Sequence, residues 1–339
     1  MVKSNFTDFL MAKKLPVSNP DLLTIHPDWA GNPIDENNRY RNLNQSSERS
    51  YRELLRWQMG RKEQAAEKKA DDWSVPVRRD YSFLNHTQDG IVWLGHATFL
   101  IRIGGRLVLT DPVFGNCGPV RRRCSLPLSS DKLRGLDYVL LSHNHRDHAD
   151  KASLLTVLRN NPNVPVLTGL QTGALVRGWS SGARIQEAGW WQQYRTVPGL
   201  EIIYLPAQHW SRRGVRDLNH MLWGSFLLRA NGKTIFFGAD SGYDVHFQEI
   251  GQFFPGIDLC LLGIGAYSPQ WFMHTAHTNP PEAVQAFHDL GAKTMVPMHY
   301  GTFDVSDEPF GEPHRWITSL EKDMRGQLKC LPVGEFLPI

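Results

Sequence analysis

The sequence predicts a β-rich α/β layered domain from about residue 88 to the C-terminus, behind a more polar N-terminal segment. Three observations predict it. Short runs of apolar, β-branched and aromatic residues recur along that stretch at strand length. Two pairs, Gly104-Gly105 and Asn231-Gly232, stand between such runs as tight hairpin turns. One strongly punctuated helix pattern begins at Asn279 and stops at Gly291, so the strands alternate with helical structure rather than forming an all-β chain.

Taken in order, residues 1–87 read as an N-terminal extension packed on a main domain of residues 88–339. The apolar residues of Met1–Leu10 are interrupted by polar ones, which excludes a signal-peptide core there. No apolar stretch approaches the ~20 residues of a spanning helix. The expected location is therefore cytoplasmic, with any membrane met at its surface. Gln45 to Asp72 is rich in Glu, Arg, Lys, Gln and Ala; within it Leu54, Leu55, Trp57 and Met59 suit a short amphipathic helix. The Lys68-Lys69-Ala70-Asp71-Asp72 run reads as a solvated face or linker.

In the main domain, strand runs fall at 91–94, 99–103, 106–110, 138–141, 164–167, 200–205, 224–229, 234–237, 259–264 and 294–298. The helix pattern has Asn279 as N-cap, prolines in its first turn and Gly291 just past its end. A net charge of +3 is too small to argue for nucleic acid, and no basic stripe is interleaved with aromatics. Cys117, Cys124, Cys260 and Cys330 form no C-x-x-C pair, which argues against a cysteine zinc site or a redox motif.

The chemistry concentrates in His143-Asn144-His145-Arg146-Asp147-His148. This run directly follows the strand pattern Tyr138–Ser142. Residues two apart on an extended segment face the same way, so His143 and His145 suit one ion. Asp147 and His148 follow a turn and suit a second ion nearby. Imidazole and carboxylate are the ligands of zinc-type cations. Two ions need further ligands, and His209, Asp240 and His299 each stand just past the end of another apolar strand run. Ligands at corresponding strand ends converge on one sheet edge, where sites of layered folds are found.

This ordered set resembles the metallo-β-lactamase superfamily. Further blocks narrow the likeness: Trp93-Leu94-Gly95-His96-Ala97-Thr98, Leu109-Thr110-Asp111-Pro112, Gln208-His209-Trp210, Leu222-Trp223-Gly224-Ser225, Gly238-Ala239-Asp240-Ser241-Gly242-Tyr243, Gly263-Ile264-Gly265-Ala266-Tyr267 and His299-Tyr300-Gly301-Thr302-Phe303. Together they resemble the N-acylphosphatidylethanolamine-hydrolysing phospholipase D branch. The likeness covers about residue 88 to the C-terminus; before it, Leu55-Arg56-Trp57 is the local echo.

The resemblance implies a four-layer αββα sandwich and two Zn2+ ions. It implies that His143, His145 and His209 bind the first ion, that Asp147, His148 and His299 bind the second, and that Asp240 bridges them. A water between the ions would be the nucleophile, with Asp147 and Asp240 at the catalytic centre. Asp111 would orient a ligand histidine. His277 would hold the phosphate or protonate the leaving alkoxide. The implied reaction releases phosphatidic acid and an N-acylethanolamine from a phospholipid, and the implied assembly is a homodimer. Hydrolysis of a lactone, a β-lactam or a small phosphodiester is the alternative, followed by a non-catalytic membrane-binding relative.

Several residues keep two readings. His96 either lines the cleft or is a packed core histidine. Tyr267, Trp271, Phe272 and Met273 either wall a groove for acyl chains or belong to the core. Arg121-Arg122-Arg123 and Arg212-Arg213 either meet anionic headgroups or are solvated faces. Trp190-Trp191 reads as core or interface. The sequence contains no His-x-Lys-x4-Asp signature, and Cys117 and Cys124 have no obvious catalytic partner, which leaves covalent catalysis the poorer account.

Overall fold

The computed structural model describes residues 14–44 and 50–339. The reading of Met1–Leu10 and the first five residues of the Gln45–Asp72 stretch therefore lie outside the described residues. Among those described, the strands are β1 Leu23–Thr24, β2 Gly90–Gly95, β3 Thr98–Ile103, β4 Arg106–Thr110, β5 Tyr138–Leu141, β6 Pro165–Gly169, β7 Arg184–Ala188, β8 Gln192–Gln193, β9 Glu201–Leu205, β10 Ser225–Ala230, β11 Lys233–Phe237, β12 Leu259–Gly263, β13 Thr294–Met298 and β14 Phe336–Pro338. The helices are α1 Tyr51–Met59, α2 Ala65–Ala70, α3 Lys151–Asn160, α4 Thr172–Trp179, α5 His246–Phe253, α6 Gln270–Met273, α7 Pro280–Asp289 and α8 Glu312–Ser319.

The strands form two mixed sheets, ordered β14-β2-β3-β4-β5-β6-β7 and β1-β8-β9-β10-β11-β12-β13. Each sheet has an antiparallel part and a parallel part. The change falls at β4–β5 in one sheet and at β11–β12 in the other. Both expected hairpins form: Ile103 pairs with Arg106 across Gly104-Gly105, and Ala230 with Lys233 across Asn231-Gly232. All four turn residues have positive φ, the conformation a two-residue hairpin needs.

Alternation along the strands explains the layers. Ile91, Trp93, Val108 and Leu140 point into the large core shared with Tyr204, Phe226, Leu228 and Phe237 of the facing sheet. Their neighbours Val92, Leu94, Leu109, Val139 and Leu141 point outward, into a second core with Leu154 and Val157 of α3 and Val176 of α4. On the other flank α7 packs on β12 through Ala283, Ala286 and Phe287. The result is the expected αββα arrangement, with strands apolar on both faces because both faces are covered. A fully buried side chain of this kind contributes roughly 1.5–3 kcal/mol. Trp190 and Trp191 are core residues.

Helix α7 begins as the sequence indicates, with Asn279 and Glu282 completing a capping box and Gly291 at φ 59°. The Lys68–Asp72 run departs from the linker reading. Lys68 pairs with Asp304 at 2.5 Å. The Asp71 carboxylate accepts from the backbone N–H of Trp73 and Gly311 and from Arg315, and its side chain is only 5% exposed. A charge run that looked solvated therefore anchors the segment.

Candidate metal centre

Four strand ends deliver the site. The 143–148 run leaves β5, His209 follows β9, Asp240 follows β11 and His299 follows β13. His143, His148, His209, Asp240 and His299 are buried, while His145 and Asp147 face the opening. His96, Asp111, Ala239, Ala266 and His299 all adopt positive φ along this edge. Such strain in non-glycine residues is kept where the surrounding structure holds it, commonly at functional sites.

Ring nitrogens converge without protons to share. His143 Nε2 lies 2.9 Å from His145 Nδ1, which lies 3.1 Å from His209 Nε2. The far nitrogens of two of these rings are committed. His209 Nδ1 donates to the Ala276 carbonyl at 2.9 Å, leaving Nε2 as a lone pair. Ser142 Oγ gives its one proton to Asp111 at 2.6 Å and so accepts from His143 Nδ1 at 2.9 Å. His148 Nδ1 donates to the same Asp111 oxygen at 2.8 Å. These partners fix Nδ1 of His143, His148 and His209 and aim their Nε2 atoms at the cluster.

Asp240 sits between the two halves of the cluster. Its Oδ2 lies 3.1 Å from His148 Nε2 and 3.7 Å from His209 Nε2, while its Oδ1 lies 3.1 Å from His299 Nε2. His148 Nε2, His299 Nε2 and Asp240 Oδ1, which face one another, are buried atoms without a hydrogen-bonded partner. Unsatisfied buried donors and acceptors are costly, and lone pairs gathered this closely fit a cation. The ligand atoms of His143, His145, His209 and Asp240 lie within 4.8 Å of one another, as do those of His96, Asp147, His148 and His299. The donor set, imidazole and carboxylate without thiolate, suits zinc-type ions.

Electrostatics follow from burial and from the two carboxylates. Burial pulls His143 and His209 well below the usual histidine range and His145 to about 4. Burial also opposes charge on His148 and His299, but Asp240 and Asp147 outweigh it; His148 is pushed well up and His299 to about 9. Asp147 and Asp240 are held well below the carboxylate range, burial notwithstanding, by the histidines around them.

The remaining candidates divide. His96 is buried, with Nε2 3.0 Å from Asp147 Oδ2 and its ring 4.0 Å from that of His299, so it belongs to the cluster as well as to the core. Asp111, fully buried, supports the ligands from behind. His277 stacks on His299 at 5.2 Å, with Nδ1 3.9 Å from Asp240; burial pulls it to about 3. Tyr267 is not among the residues facing this centre; its hydroxyl donates to Glu312 at 2.7 Å.

A cavity of about 340 Å3 opens over the cluster. Its floor is His145, Asp147, Asp240, His277 and His299, and its apolar wall is Leu54, Trp57, Phe272, Met273 and Val305. Phe272 and Met273 are thus on the wall, while Trp271 lines the neighbouring cavity beneath Arg56. Trp57 stacks on Phe272 at 5.1 Å, and its indole donates to Asp307 at 2.8 Å. Arg146, Arg212 and Arg213 also line it.

Three of the basic residues donate to backbone, Arg212 through Nε to the Gly214 carbonyl at 3.0 Å. The Arg122 guanidinium donates to the carbonyls of Leu94, Val113 and Cys124. Arg213 donates to the carbonyls of Asn144 and Ala149 at 2.9 and 2.8 Å, bracing the 143–148 loop. The sequence reading missed Leu54 and Trp57 as cavity wall. It also missed Asn42, which bonds the backbone of His209. The amphipathic pattern of α1 was the available signal for the first two; nothing local signals Asn42.

A sequence profile of the β-lactamase superfamily domain matches residues 106–300. The chain is 32% identical over 282 residues to N-acyl-phosphatidylethanolamine-hydrolyzing phospholipase D 1 of Caenorhabditis elegans, covering 78% of this chain and 79% of that protein. It is 34% identical over 241 residues to the mitochondrial N-acyl-phosphatidylethanolamine-hydrolyzing phospholipase D of Saccharomyces cerevisiae, covering 67% of this chain and 51% of the yeast protein. Among solved structures, a metallo hydrolase from the archaeon Ignicoccus hospitalis superposes with a TM-score of 0.56 at 21% identity, over 75% of this chain and 99% of that one.

Proposed function

The chain belongs to the metallo-β-lactamase superfamily and is a metal-dependent hydrolase, and from that premise we propose that it is a two-zinc phosphodiesterase acting on N-acylphosphatidylethanolamine-type glycerophospholipids. The products are phosphatidic acid and an N-acylethanolamine. One observation carries the reading: the cavity joins an apolar wall to a floor of candidate metal ligands, the two surfaces a phospholipid needs around its phosphodiester. The worm and yeast relatives, named for this activity, support it.

His143, His145 and His209 would hold one ion, Asp147, His148 and His299 the other, and Asp240 both. Cations bound there would lower the pKa of an attacking water towards ~7 and offset charge on a phosphoryl oxygen. The chain's own groups do the rest. Trp57, Phe272 and Met273 receive acyl chain and keep bulk water from the reacting phosphate. The His277 ring N–H, on the cavity floor, donates to a phosphoryl oxygen. Arg146 and Arg212 add positive charge to the lining, which favours an anionic headgroup. A cysteine nucleophile is disfavoured, since burial pushes the Cys117 thiol up to about 12.

The protein meets its lipid at a membrane surface; among the described residues no helix is long and apolar enough to cross. The test is to load purified protein with zinc, supply the lipid in vesicles and measure phosphatidic acid by mass spectrometry. Phosphatidic acid formation supports the assignment. Metal-replete protein that yields none, yet hydrolyses a lactone rapidly, overturns it.

A further inference from the structure

The N-terminal segment reaches the candidate metal centre at Asn42, 167 residues away in sequence from the ligand it touches. The Asn42 side chain grips one residue from both sides: Nδ2 donates to the His209 carbonyl at 2.9 Å, and Oδ1 accepts the His209 N–H at 3.1 Å. The same Oδ1 accepts the Trp223 indole N–H at 3.1 Å, which ties the clamp to the buried core. Two residues on, Asn44 Nδ2 donates to Asp244 at 3.1 Å, on the loop that follows Asp240. The 42–44 stretch therefore contacts two of the four chain segments that supply candidate ligands.

The mechanical consequence is specific to His209. Its ring is fixed at one end by the Ala276 carbonyl, 2.9 Å from Nδ1. Its backbone lies in the short stretch after β9, where the ladder with β10 has ended at Leu205–Ser225. Beyond that point an isolated bridge, Gln208 to Gly242, stands next to it. The amide of Asn42 pairs with both the His209 N–H and C=O, as a neighbouring strand would. A histidine held at backbone and Nδ1 has its Nε2 direction set before any ion arrives.

We propose that Asn42 is a positioning residue for the metal centre: by pairing with the His209 backbone it pre-orients His209 Nε2 toward the ion shared with His143 and His145. The N-terminal segment is then a working part of the centre as well as a covering layer. The inference rests on the two-metal reading above, and its test separates the two. Loss of a partner that orients a metal-ligating histidine typically weakens metal affinity ~10–100-fold.

The experiment titrates metal-free full-length protein with Zn2+ and, separately, with Co2+, following heat and the visible absorption of the cobalt form. Three variants are compared with the parent. Asn42→Ala removes the clamp. Asn42→Asp keeps its size and acceptors and removes the donor. Asn32→Ala is the control: Asn32 is buried in the same segment and accepts the Trp190 N–H at 3.0 Å, away from His209. The expected result is a ~10–100-fold weaker affinity for one of two equivalents in the Asn42 variants, with an altered cobalt spectrum, and parental binding in Asn32→Ala even where its thermal midpoint falls. If Asn42→Ala does not fold, Asn42→Asp decides. Parental affinity in the Asn42 variants, or an equal loss in Asn32→Ala, overturns the proposal. A parent protein that binds neither metal overturns the two-metal reading instead.

Discussion

Asp111→Asn should disable both halves of the metal centre while changing almost no volume. The Asp111 carboxylate accepts three hydrogen bonds in a fully buried place: Ser142 N–H to Oδ1 at 2.8 Å, and Ser142 Oγ and His148 Nδ1 to Oδ2 at 2.6 and 2.8 Å. An amide cannot accept all three. If its oxygen faces Ser142 N–H, its NH2 faces the other two. His148 Nδ1 must then accept, so the proton moves to Nε2, the atom that points at Asp240. Ser142 Oγ must also accept from the amide, so its own proton turns to His143 Nδ1 and forces a proton onto His143 Nε2. One substitution thereby removes a ligand lone pair from each proposed ion. If the amide flips, its NH2 opposes the Ser142 N–H, an unmet buried donor costing roughly 1–3 kcal/mol. At ~10–100-fold per mispositioned histidine, each ion loses about 1.4–2.7 kcal/mol of binding. Competition against a chelator of known affinity, with metal content read by mass spectrometry, measures this directly. Parental affinity at both sites in a folded Asp111→Asn protein would refute the tautomer argument.

Other perturbations have equally definite outcomes. Asp240→Asn should leave the fold intact by circular dichroism and reduce turnover at least ~10³-fold, equivalent to about 4 kcal/mol of barrier; surviving activity would remove Asp240 from the bridging position. Trp57→Ala should raise KM for a long-chain phospholipid several-fold and leave a short, water-soluble phosphodiester unaffected, because Trp57 lines the apolar wall and not the floor. Removing metal should lower the thermal midpoint, since ligand at 100 times its Kd stabilises by about 2.7 kcal/mol. Asp71 is held at about 2 by Arg315 and by the backbone N–H groups of Gly311 and Trp73. A depressed carboxylate stabilises above the unfolded value of ~3.9 and ceases to do so as pH falls through about 2. Asp71→Asn should therefore weaken urea resistance at pH 7, and its difference from the parent should shrink steadily as the pH is lowered from about 4 toward 2.

Much of this molecule is written in short-range pattern. The strand runs, both hairpins and helix α7 are legible because their signals are local: alternation, Gly or Asn-Gly at the turn, a capping box at the start. Helices α3, α4, α5 and α8 escaped notice. Of these, α4, α5 and α8 have 8 residues each and open without a side-chain cap. The cap of α3, Asp150 accepting from Ser153 N–H, lies directly behind the histidine run and is easily read as part of it. The ligand candidates were legible for the same reason as the strands, since each stands at a strand end. What sequence could not reveal was anything made by distant chain. Trp57 meets Asp307 across 250 residues and Asn42 meets His209 across 167. Arg122 and Arg213 looked like surface charge, yet both are spent on backbone carbonyls. No periodicity marks an arginine for that use. Of the two readings of Tyr267 the buried, packed one fits its surroundings, since its hydroxyl turns to Glu312.

The central claim is a pair of ions joined by Asp240. Diffraction data collected at the zinc absorption edge from crystals of the zinc-loaded protein test it most directly. Two anomalous peaks are expected, one among His143, His145 and His209 and one among Asp147, His148 and His299, with Asp240 reaching both. A single peak, or peaks away from Asp240, would contradict it.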